Sequence, residues 1–140
     1  PLLVSSASMA QALAQEDAVR EVLDLARSAV VTLTGMGSAT PRGSAVLAGV
    51  TTDEEVAEFA SRGAVGDMLG EWYDADGRVV ETSWSERRVG VGLDELRGMS
   101  NVVGVAGGVE KVAAIRGAIR GGLIDALVTD EPTAQALLGT

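Results

Sequence analysis

The chain contains no cysteine and no histidine among its 140 residues. The first absence excludes disulfides and thiolate nucleophiles, and the two together exclude zinc sites built on Cys or His. Without imidazole there is no histidine acid–base step and no Ser-His-Asp triad. No apolar run approaches the roughly 20 residues that a membrane span needs. Pro1-Leu2-Leu3-Val4 lacks the basic n-region and cleavage site of a signal peptide. No membrane association, metal or cofactor is therefore expected. A cytoplasmic location is expected too, since the absence of disulfides is consistent with a reducing compartment. Pro1 is not an initiator Met, so the chain is expected to be a fragment, a processed product or a trimmed form.

Positive charge is also scarce. Eleven Lys and Arg stand against twenty Asp and Glu, for a formal net charge of −9. The cations are scattered, with Arg87-Arg88 the only adjacent pair. A duplex-binding surface needs clustered Lys and Arg, which argues against this chain contacting DNA by itself. An acidic domain that takes an anionic ligand must concentrate its few cations locally, so each cation beside a Gly-rich turn becomes a candidate. Hydrophobic residues make up 46% of the chain and are spread along it, which excludes disorder and suits a single domain.

The hydrophobic pattern alternates between strand and helix. Ser8–Ala14 is a short helical candidate. Val19, Val22, Leu23 and Ala26 follow helical spacing after Asp17, a candidate N-cap or first-turn acid. Ala29–Thr34 is a continuous β-branched run, expected as a strand buried on both faces. Thr52-Asp53-Glu54-Glu55 opens a helix that Gly63 closes. Residues 64–73 and 78–84 predict two strands of an antiparallel hairpin around the turn Asp74-Ala75-Asp76-Gly77. A short helix is expected at residues 93–97. The last third predicts a strand at 101–106, a helix at 109–120 stopped by Gly121-Gly122, a strand at 125–129 and a helix at 131–138. The expected fold is α/β: a Rossmann-like, mostly parallel sheet with right-handed crossovers and an inserted antiparallel hairpin.

Within that framework the strongest chemical candidate is Gly107-Gly108 followed by Lys111, at the junction of a parallel strand and a helix. Ligands of open α/β sheets bind at such edges. Two glycines allow close approach of the backbone, and free N–H groups at a helix start favour an anion. Lys111 falls in the first helical turn, where the macrodipole disfavours a cation, and a bound phosphate reverses that penalty. The plainer reading is a tight turn followed by an exposed Lys. Gly35-Met36-Gly37 also follows a strand and could line the same crevice, or simply turn the chain. Asp67 stands between Gly66 and Gly70 in a strand, where Asp is depleted. It could accept hydrogen bonds from sugar hydroxyls, or sit in water at a bulge. Thr129 or Asp130 is expected to cap the last helix. Trp72 and Tyr73 could form a subunit contact or a sugar-stacking surface, with core packing the plainer expectation.

One family shares this arrangement of residues. Gly63-Ala64-Val65-Gly66-Asp67 running into Gly70, Tyr73–Arg78, Val103–Gly108, Lys111, Ala114-Ile115, Arg120–Leu123 and Leu127–Glu131 together resemble the effector-binding domain of SorC/DeoR-type bacterial transcription regulators. The order and spacing hold over residues 63–138, and residues 1–37 match more loosely, Val22–Arg27 being the clearest piece. The resemblance implies a fold similar to glucosamine-6-phosphate deaminase and ribose-5-phosphate isomerase. It also implies that Lys111 and Gly107-Gly108 contact the phosphate or another polar end of a phosphosugar, that Asp67 meets sugar hydroxyls, and that Gly35, Met36 and Gly37 line the pocket. Family members carry an N-terminal helix-turn-helix and a phosphate loop of Gly-x-Gly-x-Thr type, and neither is visible here. Residues 1–140 are therefore expected to be the C-terminal part of a sugar-binding effector domain, acting on DNA only through a domain outside the chain and working as a homo-oligomer, a dimer or tetramer. Three readings follow from the resemblance and the composition. The first is a sensor without catalytic residues. The second is an isomerase or deaminase of the related fold, for which the absence of His is unfavourable. The third is an assembly fragment, with which 3% aromatics and 18 glycines are compatible.

Overall fold

Residues 3–139 are described by a computed structural model. Pro1 and Leu2, part of the segment weighed as a signal peptide, lie outside the described residues. Ser6 caps α1 (Ala7–Gln15) by accepting the Met9 N–H, and α2 (Asp17–Arg27) follows with Asp17 as its first-turn acid. Three parallel strands, β1 (Thr32–Gly35), β6 (Val102–Val105) and β7 (Ala126–Val128), form one sheet in the order β1-β6-β7. Between β1 and β6 the chain builds a second sheet of four antiparallel strands in sequence order. These are β2 (Gly37–Ser38), β3 (Gly66–Met68), β4 (Glu71–Tyr73) and β5 (Val79–Val80). The α/β architecture with an antiparallel insertion is as expected, but the insertion is larger than one hairpin. Residues 64–73 are not one strand: Leu69 and Gly70 adopt φ of 54° and 75° and fold the segment into a β3–β4 hairpin of its own. The strand expected to reach Trp84 stops at Val80 and is followed by a 3-10 turn at Ser85–Arg87.

Helices fill the spaces around the two sheets. A short α3 (Ser44–Leu47) and α4 (Asp53–Ser61) follow β2. Thr52 and Glu55 form a reciprocal capping box at the start of α4, and Gly63 at φ 98° lies just past its end. The short α5 (Leu93–Leu96) precedes β6. Where one helix was expected from 109 to 120, a 3-10 turn (Val109–Lys111) leads into α6 (Val112–Arg120). The final α7 (Glu131–Leu138) begins at Asp130, whose carboxylate accepts the Thr133 N–H.

Alternation along the strands divides the core in two. Met68 and Tyr73 face Ala114, Ile115 and Ala118 of α6, with Val102 and Ala106 beyond. Tyr73 fixes this contact by donating its hydroxyl hydrogen bond to the Ala114 carbonyl at 3.1 Å. Trp72 points the other way and packs with Phe59 of α4 and Trp84, ring centroids 5.1 to 6.0 Å apart. Trp72 and Tyr73 are thus core residues. The parallel sheet departs from expectation, since only one of its faces is buried. Thr34, Val102 and Gly104 are covered, whereas Leu33, expected inside, is 71% exposed because no element of the described chain packs over that side.

Candidate functional site

A cleft of about 400 Å³ opens where the two sheets meet. Its floor is the turn from β1 into β2, with Gly35, Met36 and Gly37, and β3 contributes Asp67. Ser44 and Ala45 of α3, Val50, Gly70, Trp84, Val105 and Lys111 complete its lining. Five of the seven residues singled out from the sequence therefore border one cavity: Gly35, Met36, Gly37, Asp67 and Lys111.

Asp67 is held in register opposite Gly37 on one side and Trp72 on the other. It shares the Trp72 face of the sheet. Oδ1 is buried and has no hydrogen-bond partner among the described residues. Burial pushes the carboxyl up to about 6 from 3.8, with the nearby Lys111 ammonium pulling it back in part. Gly37 is what makes room for this group: a Cβ built there would lie 1.8 Å from Oδ1 of Asp67. The carboxylate is a strong acceptor in a residue that lines the cavity, suited to a hydroxyl donor.

Lys111 closes the 3-10 turn and sits at the N-cap of α6. Its side chain makes no ion pair among the described residues. Beyond its attraction for Asp67, its charge is free to act within the cleft.

The Gly107-Gly108 turn is arranged differently from expectation. The Gly108 N–H, foreseen as an anion donor, is already used inside the protein, donating to the Asp130 carboxylate at 2.9 Å and the Thr133 hydroxyl oxygen at 2.8 Å. A Cβ on Gly107 would come within 2.2 Å of Asp130 Oδ2, so this glycine admits the carboxylate to the turn. Hydrogen bonds from the Thr133 N–H and hydroxyl, then from Gly108, hold Asp130 below the usual carboxylate range. The turn thus joins the starts of α6 and α7, and Lys111 and Val105 form the cleft wall nearby.

Trp84, Ser44, Ala45, Val50, Gly70 and Val105 complete the wall without having been singled out. None carries a local signal, because each reaches the cleft only through tertiary packing. Among the described residues, no group of three or more Asp or Glu is placed to hold a metal. Nor is any described helix long and apolar enough to cross a membrane.

The Sugar-bind family model, described as "Putative sugar-binding domain", matches residues 1–139. The transcriptional regulator LsrR of Enterobacter sp. strain 638 is 44% identical over 141 residues, covering 99% of this chain and 44% of LsrR. A DeoR family transcriptional regulator from Listeria monocytogenes matches with a TM-score of 0.92 at 27% identity, covering 98% of this chain and 56% of that one. The full-length sorbitol operon regulator SorC from Klebsiella pneumoniae matches with a TM-score of 0.86 at 30% identity, covering 99% of this chain and 44% of SorC. The chain therefore spans less than half the length of LsrR and SorC. All three are named as regulators, none as an isomerase or deaminase.

Proposed function

The chain belongs to the sugar-binding domain family of SorC/DeoR-type transcription regulators, and on that premise we propose that its cleft binds a polyhydroxylated, anionic effector, a sugar phosphate or phosphorylated polyol. The observation that carries this reading is the buried, unpartnered Oδ1 of Asp67, set in one cavity with the unpaired Lys111. An acceptor without a donor is costly inside a protein, and a ligand hydroxyl relieves that cost. A cation in a chain of net charge −9 gives the cavity a local preference for a phosphate. In this reading Gly35, Met36 and Gly37 form the floor under the ligand. Lys111 meets the phosphate without the Gly108 amide, which serves Asp130. The name of SorC refers to sorbitol, a polyol, in keeping with such a ligand.

Occupancy of the cleft then biases the arrangement of subunits in a homo-oligomer, and through it DNA binding by a helix-turn-helix domain outside this chain, in the cytoplasm. Calorimetric titration with sugar phosphates, their parent sugars and inorganic phosphate tests the assignment. Phosphosugars bind tightest, Lys111→Ala removes the preference for the phosphorylated form, and Asp67→Asn weakens both forms. If none of these compounds binds the intact protein, the cleft is not an effector site.

A further inference from the structure

Asp130 does more than begin α7, because its two carboxylate oxygens have separate partners. Oδ1 is the helix cap: it accepts the Thr133 N–H at 2.9 Å and the Thr133 hydroxyl at 2.8 Å. Oδ2 is not part of that cap. It reaches 22 residues back along the chain to accept the Gly108 N–H at 2.9 Å, through space that a Cβ on Gly107 would fill. Thr133 Oγ1 accepts the same N–H at 2.8 Å while donating to Asp130, so the three groups form one closed set. Thr133 is fully buried, although most threonines lie at the surface. Capping a helix needs only one side-chain acceptor, which Ser or Asn supplies equally well. The second carboxylate oxygen and the buried hydroxyl oxygen therefore serve Gly108.

Gly108 in turn anchors the segment that carries Lys111. Its φ of 113° suits glycine alone, and its carbonyl accepts the Lys111 N–H at 2.9 Å. The 3-10 turn Val109–Lys111 packs against α7 and against β2, which contributes Gly37 to the cleft floor. A single 3-10 turn has poor hydrogen-bond geometry of its own, so its placement depends on what holds its ends. One end runs into α6. The other is Gly108.

Resting on the effector reading of the cleft, we infer that Asp130 and Thr133 are positioning residues for the phosphate end of that effector. Their shared grip on the Gly108 N–H fixes the turn and so holds the Lys111 ammonium in one cavity with Asp67. Neither residue lines the cavity itself. Acting only through Lys111, they set the preference for phosphorylated over unphosphorylated sugars and leave the hydroxyl contacts of Asp67 alone. Such support matters because a binding group misplaced by about 1 Å loses up to ~100-fold of its effect.

Two variants separate the grip from the cap. Asp130→Ser keeps an acceptor for the Thr133 N–H but cannot reach Gly108, and Thr133→Val removes the hydroxyl with little change of shape. Asp67 reports the place of Lys111 without any ligand, since the Lys111 ammonium keeps its carboxyl, at about 6, lower than burial alone would. Carboxyl-carbon NMR titration is expected to show Asp67 titrating higher in both variants, in the direction of Lys111→Ala. Loss of the Asp130 charge by itself would move Asp67 the opposite way, so the sign distinguishes release of Lys111 from a change of charge. A midpoint unchanged or lowered in either variant overturns the inference for that residue. Calorimetric titration with sugar phosphates and their parent sugars gives the second readout. Both variants are expected to lose at least ~10-fold of the preference for the phosphorylated form while keeping parent-sugar affinity within ~2-fold. An intact preference overturns the inference, as does an equal loss for both forms, the mark of a merely structural role. If neither form binds the parent protein, the effector reading fails, and the Asp67 titration still decides whether Asp130 and Thr133 hold Lys111.

Discussion

Oδ1 of Asp67 occupies the space that a side chain on Gly37 would need, 1.8 Å from the position of its Cβ. The two residues face each other across the β2–β3 pair, and that fit gives the cleft the only buried unpartnered carboxylate oxygen among the described residues.

Gly37→Ala forces the Asp67 carboxylate to move or the two strands to part. The expected cost is about 1–3 kcal/mol of stability, as for other overpacked interiors. Effector affinity falls by at least ~10-fold if the strands hold and the carboxylate is displaced. Thermal unfolding and titration of the same variant separate the two effects. Parent-like affinity in Gly37→Ala would show that the position of Asp67 does not matter.

Asp67 also gives the protein a distinctive pH response. Folded, the carboxyl keeps its proton up to about pH 6, whereas in the unfolded chain it titrates near 3.8. Between those values the folded state binds more protons than the unfolded one, so this group's contribution to stability falls as pH rises from about 4 to about 6 and then levels off. The full effect is at most about 3 kcal/mol. Asp67→Asn should therefore match the parent near pH 4 and exceed it at pH 7, as read from urea denaturation at the two values. Lys111→Ala removes the cation that favours the charged carboxylate, and so moves the fall to higher pH.

The aromatic group offers an optical readout. Trp84 lines the cleft and stands 5.8 Å from Trp72 between ring centroids, and these are the only two tryptophans. Effector binding is expected to shift the tryptophan emission, and Trp84→Phe to abolish most of that shift while retaining affinity. A full shift in Trp84→Phe would assign the signal to Trp72. Trp72→Ala, by contrast, hollows the core between β4 and α4 and should cost about 3–5 kcal/mol.

Glu71 and Arg88 form a largely buried ion pair at 3.0 Å beneath the β3–β4 turn. Arg88 also donates to the carbonyls of Leu69 and Val91, and Glu71 accepts the Leu93 N–H at the start of α5. Glu71→Ala leaves a buried guanidinium without its counter-charge, with an expected loss of about 3–5 kcal/mol in chemical denaturation. Glu71→Leu combined with Arg88→Leu should recover part of that loss. A double variant as unstable as the single one would mean that the bonds to Leu69, Val91 and Leu93 matter more than the charges.

Much of the fold was legible because its signals are local. The capping box of Thr52 and Glu55, the glycine after α4, the Asp130 cap of α7 and the alternation of strands with helices each depend on neighbours within a few residues. The β3–β4 hairpin was not legible, because Leu69 adopts a left-handed conformation that leucine rarely takes and that only the surrounding packing imposes. Asp67 stood out because a strand between glycines is an unusual place for an acid. Trp84 did not, because nothing near it in the chain points to a cavity.

By itself, then, the sequence determined the α/β class, the absence of thiol and imidazole chemistry, and the small set of glycines, acid and lysine from which a site could be made. Which of these share a cavity was decided only by the tertiary structure. The Gly108 amide was diverted to Asp130, Asp67 was buried opposite Gly37, and one face of the parallel sheet was left uncovered. The reason is physical: caps, turns and hydrophobic periods depend on residues a few positions apart. Hydrogen-bond competition, desolvation and coverage of a sheet face depend on residues brought together from distant parts of the chain.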